Sequence, residues 1–504
     1  MPGCKPREEE LQTSGGLEFS ADTVKFDTVF TTLRTVTKRL WVYNRNPKGV
    51  NVDLINLDQP VASPYTLIVN GDLKQTATNL FIRGEDSLLI LVRAKLPDNG
   101  QSAPNKPYVL EEKLNFTTNG NQQHVLLRSF GQNIYLHDGV TLPCNATWTN
   151  DRPHVLYNTV VVPKSCTLRI KPGTRIFAHA GAALIVQGTL LVNSPADYTP
   201  GTGVTDTVKA GNANIVRFAG DRSGEAQYAT APGQWLGILF DASSRGNVIR
   251  YAQIQNASYG ALLFNPTNSA ARPDVLIQNS VIRYISGASG NFAGAATQLA
   301  NYNLLGITAG AGILSLSGKV TVENTLFSDC YEYAVLGYGG GEYALNYCTV
   351  GNYPATSAVR GTASLTFTNL SAIDGKTKNT GLAVSVKNSI VWGSSEDELF
   401  FENYDDYKTA VAIQNTLLRT KLYAATTDAA GKPGLAAPSL NNLINIDPKF
   451  VRATSASNSD YRLVATSPAL NRNAQQVAPL LLRDLLNLPR FSNRPDLGAY
   501  QITK

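Results

Sequence analysis

The chain has 504 residues, 43% of them hydrophobic and 16% charged, with a formal net charge of +6. No run of roughly 18 apolar residues is present to form a transmembrane helix, and the apolar fraction suffices for a sizeable core. Lys and Arg are spread along the chain rather than gathered into a stripe, which excludes the electrostatic footprint of a nucleic-acid binder.

Residues 1–16 read as a tail. Met1-Pro2-Gly3-Cys4 is followed by Lys5-Pro6-Arg7 and an acidic run at 8–10. The Gly-Cys pair resembles the end of a bacterial lipobox, and acidic residues after it resemble the surface-export signal of Bacteroidetes lipoproteins. The family pattern also has an upstream apolar stretch and usually a Leu three residues before the Cys, and this sequence shows neither. The resemblance implies lipidation at Cys4 and an exported, outer-membrane-anchored, surface-exposed protein that meets the membrane only through that lipid. The plain alternative is a disordered tail with a chance Gly-Cys.

Residues 17–133 carry strand-like runs at 26–30, 35–43, 50–57, 65–69, 79–82, 87–94, 108–117 and 124–130, spaced about ten residues apart. Turn signals such as Asn-Arg-Asn-Pro, Asn-Gly-Asp and Thr-Asn-Gly-Asn separate them. The spacing predicts an immunoglobulin-like β-sandwich, similar to modules that precede surface domains in bacterial proteins, with a spacer or docking role.

From 134 to 504 the pattern changes. The stretch TVVVPKSCTLRIKPGTRIFAHAGAALIVQGTLLV (159–192) holds runs of three to five residues separated by Pro-Lys, Pro-Gly, His-Ala-Gly and Gln-Gly corners. Strands this short bury too few side chains to hold as a hairpin, but coiled into a solenoid each stacks on the one a turn later. A repeat recurs every twenty-odd residues as VLIQNSVI, VTVENTLF, VSVKNSIV and VAIQNTLL, around Asn279, Asn324, Asn388 and Asn415. Looser copies surround Cys348 and Asn369. Asn tolerates left-handed backbone, so these residues are expected at stacked corners with their amides forming a ladder. The pattern is all-β: a sandwich followed by a parallel β-helix.

The end of the chain carries a further resemblance. Asp447-Pro448-Lys449-Phe450, DYRLVATSPALNRN (460–473) and NLPRFSNRPDLGAY (487–500) resemble the terminal segment of bacterial right-handed parallel β-helix repeat proteins of the pectin-lyase-like fold. Asn471-Arg472-Asn473 replaces the family's Asp-x-Gly, and Gln501 its final Glu. The resemblance implies a right-handed coil and a terminal segment that caps it. For activity it implies little, because such proteins include polysaccharide lyases, hydrolases and adhesins. The stretch Asp221-Arg222 with Pro232-Gly233-Gln234-Trp235 also resembles this family, with Arg222 expected to tie its loop to the stack.

Chemistry-bearing residues are sparse. The four histidines, His124, His137, His154 and His179, show no metal-ligand spacing, so no metal site is assigned; His179 is expected as a turn residue. Cys144 and Cys166 bracket the first solenoid turn as either a disulfide or two thiols, whereas Cys330 and Cys348 are expected as small buried residues. Gly337-Tyr338-Gly339-Gly340-Gly341 lacks the Lys-Ser/Thr ending of a phosphate loop. Acidic residues Glu396, Asp397, Glu398, Glu402, Asp405 and Asp406 flank Phe400 and Phe401, and would suit a Ca²⁺ or a pair of glycosidase carboxylates. Asp329, Glu332 and Glu342 near Arg283 would suit a lyase. Tyrosines cluster between 331 and 347, and flat aromatic faces beside carboxylates suit sugar rings. The candidate ligand-binding set is therefore Tyr331, Tyr333, Tyr338, Glu342, Tyr343, Phe401 and Tyr404, with no catalytic residue and no cofactor other than Ca²⁺. The leading reading is a surface module that binds a polysaccharide or cell-surface glycan, or acts in adhesion, without catalysis. The alternative is a polysaccharide lyase or glycoside hydrolase using acids on one solenoid face.

Overall fold

The computed structural model describes residues 10–33, 37–101, 107–199, 212–286, 309–354, 360–427, 434–453, 458–472, 477–491 and 495–502. Cys4 lies outside them. The chain divides into two compact units, Met1–Ile134 and Tyr135–Lys504. Among the described residues no helix is long and apolar enough to cross a membrane.

The first unit is an immunoglobulin-like sandwich of two five-stranded sheets. One sheet runs Glu18–Phe19, Lys38–Tyr43, Ser87–Ala94, Tyr65–Val69, Asp72–Lys74; the other runs Thr23–Phe30, Asn121–Gln132, Tyr108–Thr118, Val50–Leu57, Thr76–Ile82. Alternation assigns the faces. In Ser87–Ala94, Leu88, Ile90, Val92 and Ala94 point inward and the intervening residues are half-exposed. They join Phe26, Leu40, Val52, Ile55, Leu114, Phe116 and Leu127 in one core. Thr23–Phe30 pairs parallel to Asn121–Gln132; parallel partners need a long crossover, and here most of the unit supplies it.

The second unit is a parallel β-helix. Each complete turn contributes one strand to each of three all-parallel sheets, in the order face A, face B, face C. Face A has eleven strands, from Tyr135–Asp138 to Leu443–Ile444; face B eight, from Thr159–Val162 to Leu399–Glu402; and face C nine, from Thr147–Trp148 to Val411–Gln414. Short aliphatic runs form these strands because their inward residues stack from turn to turn. On face B the row Val160, Leu184, Ile238, Ala261, Ile313, Val335, Leu365, Leu399 is continuous and wholly buried in the main core. Cys144 and Cys166 form a disulfide across 22 positions of sequence, whereas Cys330 and Cys348 are buried thiols.

The repeated asparagines stand between faces C and A with left-handed backbone: Asn279, Asn324, Asn388 and Asn415 have φ of 48°, 46°, 52° and 48°. An amide ladder forms in the last turns, where Asn441 donates to Asn415 (2.8 Å), Asn415 to Asn388 (2.8 Å) and Asn388 to Asn346 (2.9 Å). Earlier in the stack, Asn324 and Asn279 donate instead to the carbonyls of Arg483 (2.7 Å) and Asp484 (2.8 Å).

That difference corrects the role expected for the terminal segment. It lies lengthwise along the stack: Tyr461, Leu485, Ala499 and Tyr500 pack on Val281 and Leu326, and Leu463, Ala469 and Leu497 on Ile390 and Leu417. Buried Arg490 holds it there, donating to Asn324 Oδ1 (2.7 Å) and the Gly498 carbonyl (2.8 Å) above the Tyr347 ring. Gly498 has φ +83°, and a Cβ there would come within 2.6 Å of Thr349 Oγ1, so close approach to the stack requires glycine.

One buried group opposes folding. Asp329 is 1% exposed, and neither of its oxygens has a partner with hydrogen-bond geometry among the described residues. Burial pushes its carboxyl up to about 7, with Ser328 and Arg283 offsetting only part of the shift. A folded-state value above the unfolded one means that the penalty is absent at low pH and grows as pH rises towards neutrality. Asp329→Asn is therefore expected to change stability little at pH 4 and to raise it by up to about 4 kcal/mol at pH 8, read as a difference in melting temperature between the two conditions.

Candidate functional site

The last three strands of face B, Tyr333–Tyr338, Leu365–Thr368 and Leu399–Glu402, are successive rungs in register. Strand alternation splits LTFT and LFFE into inward Leu365, Phe367, Leu399 and Phe401 and outward Thr366, Thr368, Phe400 and Glu402. Two outward rows result: Leu336, Thr366, Phe400 and Tyr338, Thr368, Glu402. In earlier turns the first of these rows is entirely aliphatic, from Val161 through Ile185, Leu239, Leu262 and Leu314. The outer side of face B thus changes along its length from a buried apolar layer to one carrying aromatic, hydroxyl and carboxylate groups.

These rows floor an open cleft of about 920 Å³, walled by Tyr333, the 360–363 and 394–397 loops and Leu422. A buried ion pair holds both loops. Glu398, 0% exposed, accepts from Arg360, from Ser364 Oγ (2.6 Å) and N–H (3.2 Å), and from Ser395 N–H (2.9 Å). Arg360 also donates to the Thr362 carbonyl (2.9 Å). Asp397 fixes the opposite rim by accepting from Thr420 Oγ1 (2.9 Å) and the N–H groups of Lys421 (2.7 Å) and Leu422 (2.9 Å). Glu396 pairs with exposed Lys421.

Glu402 is different. Its half-buried carboxylate lines the cleft and has no hydrogen-bond or ion-pair partner among the described residues. The Tyr338 phenol is pushed up first by burial, then by the carboxylates of Glu402 and Asp374. Phe400 lies two positions before Glu402 on the same side of the strand and is 40% exposed.

The structure brings only two of the seven expected binding residues into this cleft, Tyr333 and Tyr338. Tyr343 points inward from face C, is 2% exposed, and donates its hydroxyl to the carbonyls of Gly340 (2.9 Å) and Ser315 (3.2 Å). Phe401 is likewise in the core, stacked against Tyr404, with ring centroids 5.1 Å apart. Glu342 lies on face C, facing Arg272 and Lys319 at 3.5 Å each. Tyr331 sits on the turn before Tyr333–Tyr338 and does not line the cleft. Phe400, Thr366 and Leu422 replace them. The signal that finds Phe400 is Glu402: a charged residue ending LFFE faces out, so parity turns Phe400 outward and Phe401 inward.

Elsewhere the titratable groups are structural. His137 Nε2 and His154 Nδ1 lie 2.9 Å apart, both rings stacked with Trp148. Burial pushes His137 down to about 4 and His154 to about 3. His179 stacks flat on Tyr157 (4.1 Å), and its Nδ1 meets Asp221 Oδ2 at 2.6 Å, a hydrogen bond that raises its pKa. Arg222 pairs within its own loop, with Glu225 at 2.9 Å and over the Tyr228 ring, rather than with the stack. Among the described residues no three His, Cys, Asp or Glu side chains are grouped to hold a metal ion.

No protein-family model matches the chain, and no curated protein matches it. Among solved structures, a family 123 glycoside hydrolase from Clostridium perfringens, analysed for glycolipid glycan hydrolysis, aligns at 9% identity over 24% of this chain and 30% of that one, with a TM-score of 0.16. The PapD-like domain 7 of human CEP192 aligns at 13% identity over 26% of this chain and 92% of that one, with a TM-score of 0.17. The chain spans under a third of the hydrolase it is aligned with. Likenesses this slight leave the site to be argued from its own geometry.

The two aromatic assignments separate by stability. Tyr343→Ala is expected to cost about 3–5 kcal/mol, as for a large core side chain. Phe400→Ala is expected to cost under about 1 kcal/mol, as at an exposed site. Denaturant melts of both variants check the inward and outward parity.

Proposed function

We propose that the protein is a surface-displayed carbohydrate-binding module whose ligand lies in the face B cleft and is held without being cleaved. The observation that carries this reading is the outward placement of Phe400 and Tyr338 beside Thr366 and Glu402 on successive strands of face B. A sugar ring has apolar C–H faces and a rim of hydroxyls. Aromatic rings take the faces, and a carboxylate with open lone pairs accepts from the hydroxyls. The rungs recur every ~4.8 Å along the cleft, so an extended ligand crosses aliphatic, hydroxyl and aromatic groups in turn.

Binding is favoured over hydrolysis by what the carboxylates already do. A glycosidase needs two carboxyl groups facing one another across the scissile bond, free to exchange protons. Here Glu398 is pinned by Arg360, Asp397 accepts three hydrogen bonds from the rim on its Oδ1, and Glu396 is paired with Lys421. Among the described carboxylates that line the cleft, only Glu402 has neither a hydrogen-bond nor an ion-pair partner. Attachment to a membrane surface through Cys4 belongs to the same proposal and rests on the Gly3-Cys4 pair.

A glycan array followed by titration calorimetry tests the reading. The wild-type protein is expected to bind at least one extended glycan, with Phe400→Ala and Tyr338→Ala each weakening it about five- to tenfold, the worth of one aromatic stacking contact. The glycan is expected to keep its length after incubation. Binding that ignores both substitutions, an array without any bound glycan, or shortened chains would each overturn the proposal.

A further inference from the structure

The charge of the cleft narrows the class of glycan. Its lining carries three carboxylates, Glu396, Asp397 and Glu402, against one guanidinium, Arg360. That guanidinium is buried in the floor and neutralised by Glu398, so it offers nothing to a ligand. Lys421, beyond the rim, is held by Glu396. Asp374 adds a further negative charge near the Tyr338 hydroxyl: a Cβ on neighbouring Gly375 would lie 3.8 Å from it. Hydrogen bonds from Thr377 and the Lys376 N–H hold the Asp374 carboxyl down to about 2, so it remains ionised. Carboxylates therefore outnumber cations along the cleft, and Glu402 among them keeps open acceptor positions.

A carboxylate without a counter-ion gains a charge-assisted hydrogen bond from a cationic ligand group, which is stronger than the neutral bond a hydroxyl donates. A ligand carboxylate in the same place meets a like charge and is rejected. Hydroxyl-bearing neutral sugars fall between the two.

We infer that the cleft is selective for glycans bearing free primary amino groups, an amino-sugar polymer whose ammonium groups pair with Glu402 while its rings stack on Phe400 and Tyr338. The same arrangement discriminates against uronate polymers. This inference rests on the carbohydrate-binding reading of the same cleft, and adds to it the sign of the ligand's charge and the residue that reads it.

Three oligomers of equal length separate the two. Titration calorimetry would compare a fully de-N-acetylated glucosamine oligosaccharide, its N-acetylated counterpart and an oligogalacturonate, in a buffer acidic enough to keep the amines protonated. The amine form is expected to bind roughly tenfold tighter than the acetylated form, one well-placed charge-assisted contact, and the uronate not to bind measurably. In Glu402→Gln the ratio of amine to acetylated affinity is expected to fall to about one, whereas Phe400→Ala is expected to weaken both forms together. Melting curves of the Gln variant confirm that it folds. Equal wild-type affinity for the amine and acetylated forms, or a preference that survives Glu402→Gln, would overturn the inference and leave carbohydrate binding standing. Uronate bound as tightly as the amine would overturn it too. Failure of all three oligomers together with an empty glycan array would remove both readings.

Discussion

Register from one turn to the next is the constraint on which the second unit depends. Every strand of faces A, B and C between the first and last of its sheet pairs with the turn before and the turn after, so no turn is stable alone. The constraint acts on side chains as well as on backbone. A strand out by one residue would exchange its buried and exposed residues, driving Phe400 and Glu402 into the core and Leu399 and Phe401 into solvent. The left-handed residues between faces C and A absorb the chain's change of direction without altering strand length, and their amides satisfy polar groups that a corner would otherwise leave unpaired.

Stacking also explains how a site can arise without a dedicated domain. Because outward residues form rows as regular as the inward ones, a few substitutions within one row convert an apolar wall into a binding surface. Face B does this where Leu314 and Leu336 give way to Thr366 and Phe400, and Leu316 and Tyr338 to Thr368 and Glu402. The loops that wall the cleft are held by Glu398 and Asp397, so the aromatic and carboxylate groups stand on a floor whose geometry is set before any ligand arrives. Ligand binding to such a site avoids much of the ordering entropy that a mobile loop would incur.

Much of the fold was legible in the residues. Short β-rich runs broken by Pro-Gly and Asn corners admit few architectures other than a β-helix, and the ten-residue spacing before residue 133 points to a sandwich. The candidate site was less legible, for two physical reasons. First, a period read from sequence says which residues begin a turn but not which side of a three- or four-residue strand each one takes. Tyr343, Phe401 and Tyr404 are aromatics near carboxylates in sequence, yet Tyr343 and Phe401 lie in the core and Tyr404 packs against it, while Glu342 belongs to another face. Second, loops of unequal length hide which distant residues become neighbours. Nothing local in 477–491 announces that it meets Asn279 and Asn324 through the carbonyls of Asp484 and Arg483, nor that Arg490 lies on the Tyr347 ring. The parity signal in LFFE was present, because Glu402 cannot take the inward place, but it has meaning only once the strand is known to be one rung of face B.

The most direct measurement is a crystal structure of the protein grown with a saturating glucosamine oligosaccharide. The account predicts ordered sugar in the face B cleft, with rings against Phe400 and Tyr338 and an amino group within hydrogen-bond distance of the Glu402 carboxylate. Sugar ordered elsewhere on the molecule, with the cleft holding only solvent, would contradict it.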